Sequence, residues 1–225
     1  MSKYNVVLLD LDGTIVDSSE GIVKSVIYAL EKFGITVENP QDLLCFIGPP
    51  ILESFTTFYH MNEEDGKKAV AYYRERYKDV GVFEATVYED VPEMIIALKE
   101  QGVDVLLATS KPEIFAKQIL EHFNLAQYFS VVGGSGLDGS RGSKAKVIEY
   151  VLQSYAEQRG LELDAVMKQA VMVGDRHHDI DGAKEIGIDS IGILFGFGDR
   201  EELEEAGATY VLETPMDVAR FVCQS

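Results

Sequence analysis

Residues 6–18 read VVLLDLDGTIVDS: four apolar residues run into Asp10, and Asp12 follows two positions later, ahead of a glycine. Two carboxylates at the mouth of a buried strand admit two readings. One is an ordinary strand ending in an Asp-Gly turn. The other is a phosphoryl-transfer site, where Asp10 attacks phosphorus and Asp12 handles the proton of the leaving oxygen and then of water. Other residues with chemical potential stand at similar places. Thr109, Ser110 and Lys111 end the apolar run VDVLLATS and begin the segment after it. Lys144 follows a loop rich in glycine and serine, and Asp175 ends AVMVGD with Asp179 one helical turn later. Singly, each has an ordinary reading: a common DxD, a solvated lysine at a helix start, a turn after a strand.

What would gather them is a parallel sheet. Short apolar runs without alternation, as strands buried on both faces require, recur at about Tyr4–Leu9 and at 103–110, 129–134, 170–175, 189–196 and 209–213. Segments of helical periodicity separate them: VPEMIIALKEQG, KPEIFAKQILEHFNL, SKAKVIEYVLQSYAEQRG and DIDGAKEIGI, three of them with glycine or glycine-like stops. Strand alternating with helix predicts a Rossmann-like α/β core covered on both faces. The rhythm breaks between 18 and 83, where helical patterns succeed one another without a buried strand, too far for a simple strand-to-helix connection. This predicts an inserted all-helical cap at 18–83, with the catalytic core made of 1–17 and 84–225. The alternative is a helical elaboration of one domain.

Ligands of parallel sheets sit beyond the carboxyl ends of the strands. There the pattern gathers three or four carboxylates, a hydroxyl and a lysine. Carboxylates packed so closely repel, and some would have to take up protons. A bound Mg2+ resolves this, since it prefers hard oxygen ligands. Mg2+, Lys144, the Thr109 hydroxyl and backbone N–H groups after Asp10 would then face the anionic oxygens of a transferring phosphoryl group.

The ordered set DxDGT at Asp10–Thr14, LLAT ending at Thr109, Lys144 in GSRGSKAKVI, and GDxxxD at Gly174–Asp179 resembles the haloacid dehalogenase-like hydrolase superfamily over nearly the whole chain. The resemblance implies Asp10 as nucleophile, Asp12 as general acid and base, and Thr109 and Lys144 as phosphate-handling catalytic residues, with Ser110 beside them. It implies a metal held by Asp10, the backbone carbonyl of Asp12 and Asp175, while Asp179 holds metal waters or orients Lys144. CFIGPP at 45–50 resembles the substrate-contacting cap loop of the phosphoglycolate-phosphatase-like branch, which implicates Gly48 and Pro49; a plain turn is the other reading. Asp12 is the aspartate that dehalogenases lack. Ile22 stands where the β-phosphoglucomutase branch typically has a histidine.

Bulk properties bound the rest. The 225 residues carry a formal charge of −18, with 46% hydrophobic and 26% charged residues. A folded chain of this charge repels nucleic acid and anionic membranes. Two distant cysteines suggest no disulfide framework and a reducing compartment, and no stretch reaches membrane-span length. The expectation is a cytoplasmic phosphatase of a small phosphorylated metabolite, monomeric or weakly dimeric. Phosphoglycolate, nucleotides, pyrophosphate and phosphotyrosine are its candidate substrates. A sugar-phosphate phosphomutase and a catalytically silent interaction protein are the alternatives. His177 and His178 are not expected to bind metal, because adjacent histidines do not readily share a helix face. Lys111 is read either as facing phosphate or the cap, or as a surface lysine at a helix start.

Overall fold

The computed structural model describes residues 3–224. In chain order its elements are β1 (Val6–Leu9), β2 (Val16–Asp17), α1 (Ser19–Glu31), α2 (Ile51–Phe58), α3 (Glu63–Tyr77), β3 (Thr86–Val87), α4 (Val91–Glu100), β4 (Asp104–Pro112), α5 (Glu113–His122), β5 (Phe129–Ser135), α6 (Lys144–Arg159), α7 (Leu163–Met167), β6 (Ala170–Gly174), α8 (His177–Ile186), β7 (Asp189–Ile193), α9 (Arg200–Ala206), β8 (Tyr210–Leu212) and α10 (Pro215–Gln224). Contacts divide the chain into two units: residues up to Val16 together with those from Val87 onward, and Asp17–Thr86. The two-stranded ribbon of β2 and β3 lies where the chain leaves the first unit and returns to it.

The first unit is an α/β core with a Rossmann-like sheet. Its six strands lie in the order β5-β4-β1-β6-β7-β8 and every pair is parallel. β1 is buried along its whole length because VVLL offers apolar side chains to both faces. On one face Leu8, Leu106 and Met172 pack against Val147, Ile148, Val151 and Leu152 of α6. Each such side chain stabilises the fold by about 1.5–3 kcal/mol. Leu9 pairs with Leu107 of β4 and with Val173 of β6, so the three central strands run out at one edge in register. Strand order also reverses at β1, which opens a crevice at that edge.

The second unit is built from α1, a 3-10 turn at Pro40–Phe46, α2, α3 and a second short turn at Gly81–Phe83. Phe46 and Phe55 meet edge to face at 5.1 Å within its core. α1 approaches the second turn so closely that a Cβ on Gly21 would lie 2.0 Å from the Gly81 carbonyl oxygen. Arg76 grips Glu84 with two hydrogen bonds of 2.7 and 3.0 Å, which ties that residue to the helical unit.

Two local differences from the sequence reading matter. α7 has no counterpart in it, since five residues are too few to show a helical period. β4 continues past Thr109 to Pro112, and its pairing with β5 slips there, from Thr109 opposite Gly134 to Pro112 opposite Ser135. Ser110 and Lys111 therefore occupy an irregularity of a strand, and α5 starts only after the proline.

Candidate active site

Asp10 is the first residue beyond β1, and its N–H donates to the Val173 carbonyl of β6 at 3.0 Å. The chain then turns tightly: the N–H groups of Ile15 and Val16 both donate to the Leu11 carbonyl, at 2.8 and 3.0 Å. Gly13 sits in this turn with φ +81°, and a Cβ there would lie 2.1 Å from Asp175 Oδ2. Gly174 has the same relation to the other aspartate of its motif, with its would-be Cβ 2.1 Å from Asp179 Cγ. Both glycines are needed because carboxylates fill the space a side chain would take. Asp175 accepts the Phe197 N–H at 2.8 Å and the Thr14 hydroxyl at 3.4 Å. Asp179 is in the first turn of α8 and accepts the Arg176 N–H at 3.2 Å, reciprocating the bond from its own N–H to the Arg176 carbonyl. Lys144 is the first residue of α6, whose start is capped by the Ser143 hydroxyl accepting from the Lys146 N–H.

These elements bring one ammonium and three carboxylates together in a buried space. Lys144 Nζ lies 2.8 Å from Asp10 Oδ1 and 2.7 Å from Asp179 Oδ1, and it donates to the Ala108 carbonyl at 3.3 Å. The two carboxylate oxygens are paired with it by charge but lie outside hydrogen-bonding alignment. Asp10, Asp175 and Asp179 can each offer an oxygen within 4.8 Å of the others. Burial pushes the Asp10 carboxyl up to about 6; Lys144 opposes this and Asp179 adds to it. Asp175 is raised well above the usual carboxylate range, first by burial and then by the charges of Asp179 and Asp10. Burial alone would lower the Lys144 ammonium, but Asp10 and Asp179 together hold it above its ordinary value. One cation for three buried carboxylates leaves negative charge uncompensated. An all-oxygen set with two oxygens lacking hydrogen bonds suits Mg2+.

The Asp12 carboxylate is paired with a second lysine. Lys111 Nζ donates to both of its oxygens, at 2.8 and 2.6 Å, and both side chains are buried. The surface reading of Lys111 is thereby overturned: the slip in the β4–β5 pairing turns this lysine inward. Thr109 is buried, its hydroxyl accepting the Lys111 N–H at 3.2 Å, and Ser110 beside it is half-buried. Gly48, with φ +101°, and Pro49 form the half-buried bend before α2 in the helical unit. Arg176 and the His177 N–H both bond Glu202 of α9, at 2.9 and 2.8 Å. The rings of His177 and His178, in the first turn of α8, lie 3.8 Å apart. The sequence reading gave no role to Thr14, the Phe197 amide or Glu202. Thr14 is part of the DxDGT run; the other two carry no local signal.

A family model for haloacid dehalogenase-like hydrolases matches residues 7–193. The chain is 39% identical to a 5′-nucleotidase of Pseudomonas aeruginosa over 92% of this chain and 90% of that protein. It is 34% identical to the tyrosine-protein kinase PtkA of Mycobacterium tuberculosis, over 92% of this chain and 67% of the kinase. A crystal structure of a predicted phosphatase from Clostridium acetobutylicum superimposes with a TM-score of 0.92 at 43% identity, covering both chains in full.

Proposed function

The chain belongs to the haloacid dehalogenase-like hydrolases, and on that premise we propose that its phosphatase activity releases phosphate from a small phosphomonoester by way of an aspartyl-phosphate on Asp10. The observation that carries this reading is the buried grouping of Asp10, Asp175, Asp179 and Lys144 where the central strands end. Asp10, Asp175 and Asp179, with the Asp12 backbone carbonyl, would hold Mg2+, which when bound offsets their charge and that of the phosphoryl oxygens.

An Asp10 carboxylate oxygen forms a bond to phosphorus as the bond from phosphorus to the ester oxygen breaks. Asp12 gives its proton to that leaving oxygen. Water then attacks the phosphoryl group, passing a proton to Asp12 and freeing Asp10. Lys144 and Thr109 face the phosphoryl oxygens, while Asp179 fixes Lys144 from its other side. Ser110 lies next to this group, and Gly48 and Pro49 are the cap residues we assign to substrate contact.

A nucleoside 5′-monophosphate is the first substrate to test, because a relative that this chain covers almost end to end is a 5′-nucleotidase. The test is phosphate release from nucleoside 5′-monophosphates, phosphoglycolate, pyrophosphate, sugar phosphates and phosphotyrosine, with Mg2+ and with chelator. Metal-dependent release that Asp10→Asn abolishes is the expected result. Isomerisation of a sugar phosphate without phosphate release overturns it in favour of a mutase.

A further inference from the structure

Asp12, in the turn after β1, and Lys111, in β4, are 99 residues apart in sequence and meet in a buried ion pair. Both carboxylate oxygens face one ammonium, at 2.8 and 2.6 Å. A surface lysine would gain little from such a contact. This one is brought in by a specific backbone irregularity, the slip between Thr109 and Pro112 in the β4–β5 pairing. The backbone N–H of the same residue bonds the Thr109 hydroxyl at 3.2 Å. Lys111 thus joins two residues of the site, one through its side chain and one through its main chain. Its neighbour Lys144 already serves the other carboxylates, Asp10 and Asp179. Lys144 is thus paired with Asp10 and Asp179, and Lys111 with Asp12.

We propose that Lys111 is a positioning residue for the hydrolysis, setting the aim of the Asp12 carboxyl group. The inference rests on the reading of Asp12 as the general acid and base. In the first step the bond between phosphorus and the leaving oxygen breaks while a proton passes from Asp12 to that oxygen. Lys111, bonded to the Asp12 carboxyl group and through its own N–H to the Thr109 hydroxyl, limits the orientations that Asp12 can take while this proton passes. A loss of that aim therefore costs most where the leaving group most needs the proton.

The test uses two esters of similar shape, phenyl phosphate and 2,4-dinitrophenyl phosphate, with the Mg2+-loaded protein. Phenolate leaves poorly without protonation; dinitrophenolate leaves well without it. Lys111→Gln is expected to lower kcat on phenyl phosphate about a hundredfold, with a much smaller loss on the dinitrophenyl ester and little change in KM on either. Lys111→Arg, which keeps the charge, should recover part of the loss. In an Asp12→Asn background Lys111→Gln should cost nothing further on phenyl phosphate, since the two act as one unit. Thermal melts of each variant separate this from misfolding: a folded Lys111→Gln with equal losses on both esters, or with a raised KM, makes Lys111 a direct phosphate ligand and overturns the proposal. If Asp12→Asn itself does not discriminate between the esters, the acid-base reading fails instead. A wild-type protein that turns over neither ester defeats the phosphatase reading and the proposal with it.

Discussion

Asp10 is asked to be both buried and charged. Its carboxyl, lifted to about 6 mainly by burial, lies among Asp175, Asp179 and a single ammonium. Removing that charge should therefore relieve the metal-free fold while destroying turnover. Asp10→Asn is expected to melt at or above the wild-type temperature in chelator and to show a smaller rise in Tm on adding Mg2+, because ligand stabilisation scales with affinity for the native state. Calorimetry with and without the metal checks this; an unchanged Mg2+ response would remove Asp10 from the metal site. The residues of this grouping were legible from their placement, Asp10 and Asp175 after strands, Asp179 one helical turn later and Lys144 opening a helix, together with the family resemblance that these motifs carry. The pairing of Lys111 with Asp12 was not legible. Side-chain direction in a strand depends on pairing register, and the slip beside Thr109 leaves no mark in TSKP beyond the proline.

At the scale of elements, the site depends on turns and helix starts that bring charged groups close without steric conflict. Gly13→Ala would place a methyl 2.1 Å from Asp175 Oδ2 on backbone of φ +81°. The conformational strain alone costs about 1–2 kcal/mol. The displaced Asp175 should weaken Mg2+ binding by roughly 10- to 100-fold, as measured by calorimetric titration. Ser143→Ala removes the cap of α6 and should cost about 1 kcal/mol, with a fall in kcat as Lys144 at the first helical position loosens; unchanged kcat would show that the ion pairs with Asp10 and Asp179 hold the lysine unaided. The strands and most of the long helices were legible because periodicity carries them. The short α7 and the 3-10 turn at Pro40–Phe46 were not, since neither is long enough for a period to appear. Gly13 was legible as a turn residue, but the carboxylate that forbids a side chain there, Asp175, comes from the residue just after β6, far along the chain.

Across the whole molecule, the end of the sheet away from the site has its own charged hub. Asp104, at the start of β4, accepts hydrogen bonds from Tyr155 at 2.7 Å, Arg159 at 2.9 Å, Ser130 at 3.0 Å and Lys99 at 3.1 Å, joining β4, β5, α4 and α6. Burial raises its carboxyl, but the Tyr155, Lys99 and Ser130 bonds outweigh this and hold it below the usual range. A depressed carboxyl contributes stability that is complete above its unfolded value of about 3.9 and is lost as pH falls through the folded value. Asp104→Asn should therefore cost about 1–3 kcal/mol near neutral pH, and the gap to wild type should close in acid. Denaturant titrations between pH 7 and pH 3 check the slope, and phosphatase activity at neutral pH should stay near wild type, since Asp104 lies at the opposite end of β4 from Thr109.

Charge also acts on the molecule as a whole. With 38 acidic and 20 basic residues, the chain carries −18. Many of its ion pairs are exposed one-turn helix contacts such as Lys67 with Glu63 and Arg200 with Glu204, each worth a few tenths of a kcal/mol and readily screened. The unbalanced negative charge repels itself more strongly in the compact state than in the expanded unfolded chain. Screening should then weaken repulsion more than it weakens attraction. Raising NaCl from 20 to about 200 mM shortens the Debye length to below about 10 Å, and in chelator the Tm should rise. A monovalent salt cannot substitute for the metal at Asp10, Asp175 and Asp179, so this rise should persist in full in Asp10→Asn, while the Mg2+ response shrinks. A fall in Tm with NaCl would mean that the surface pairs outweigh the net charge.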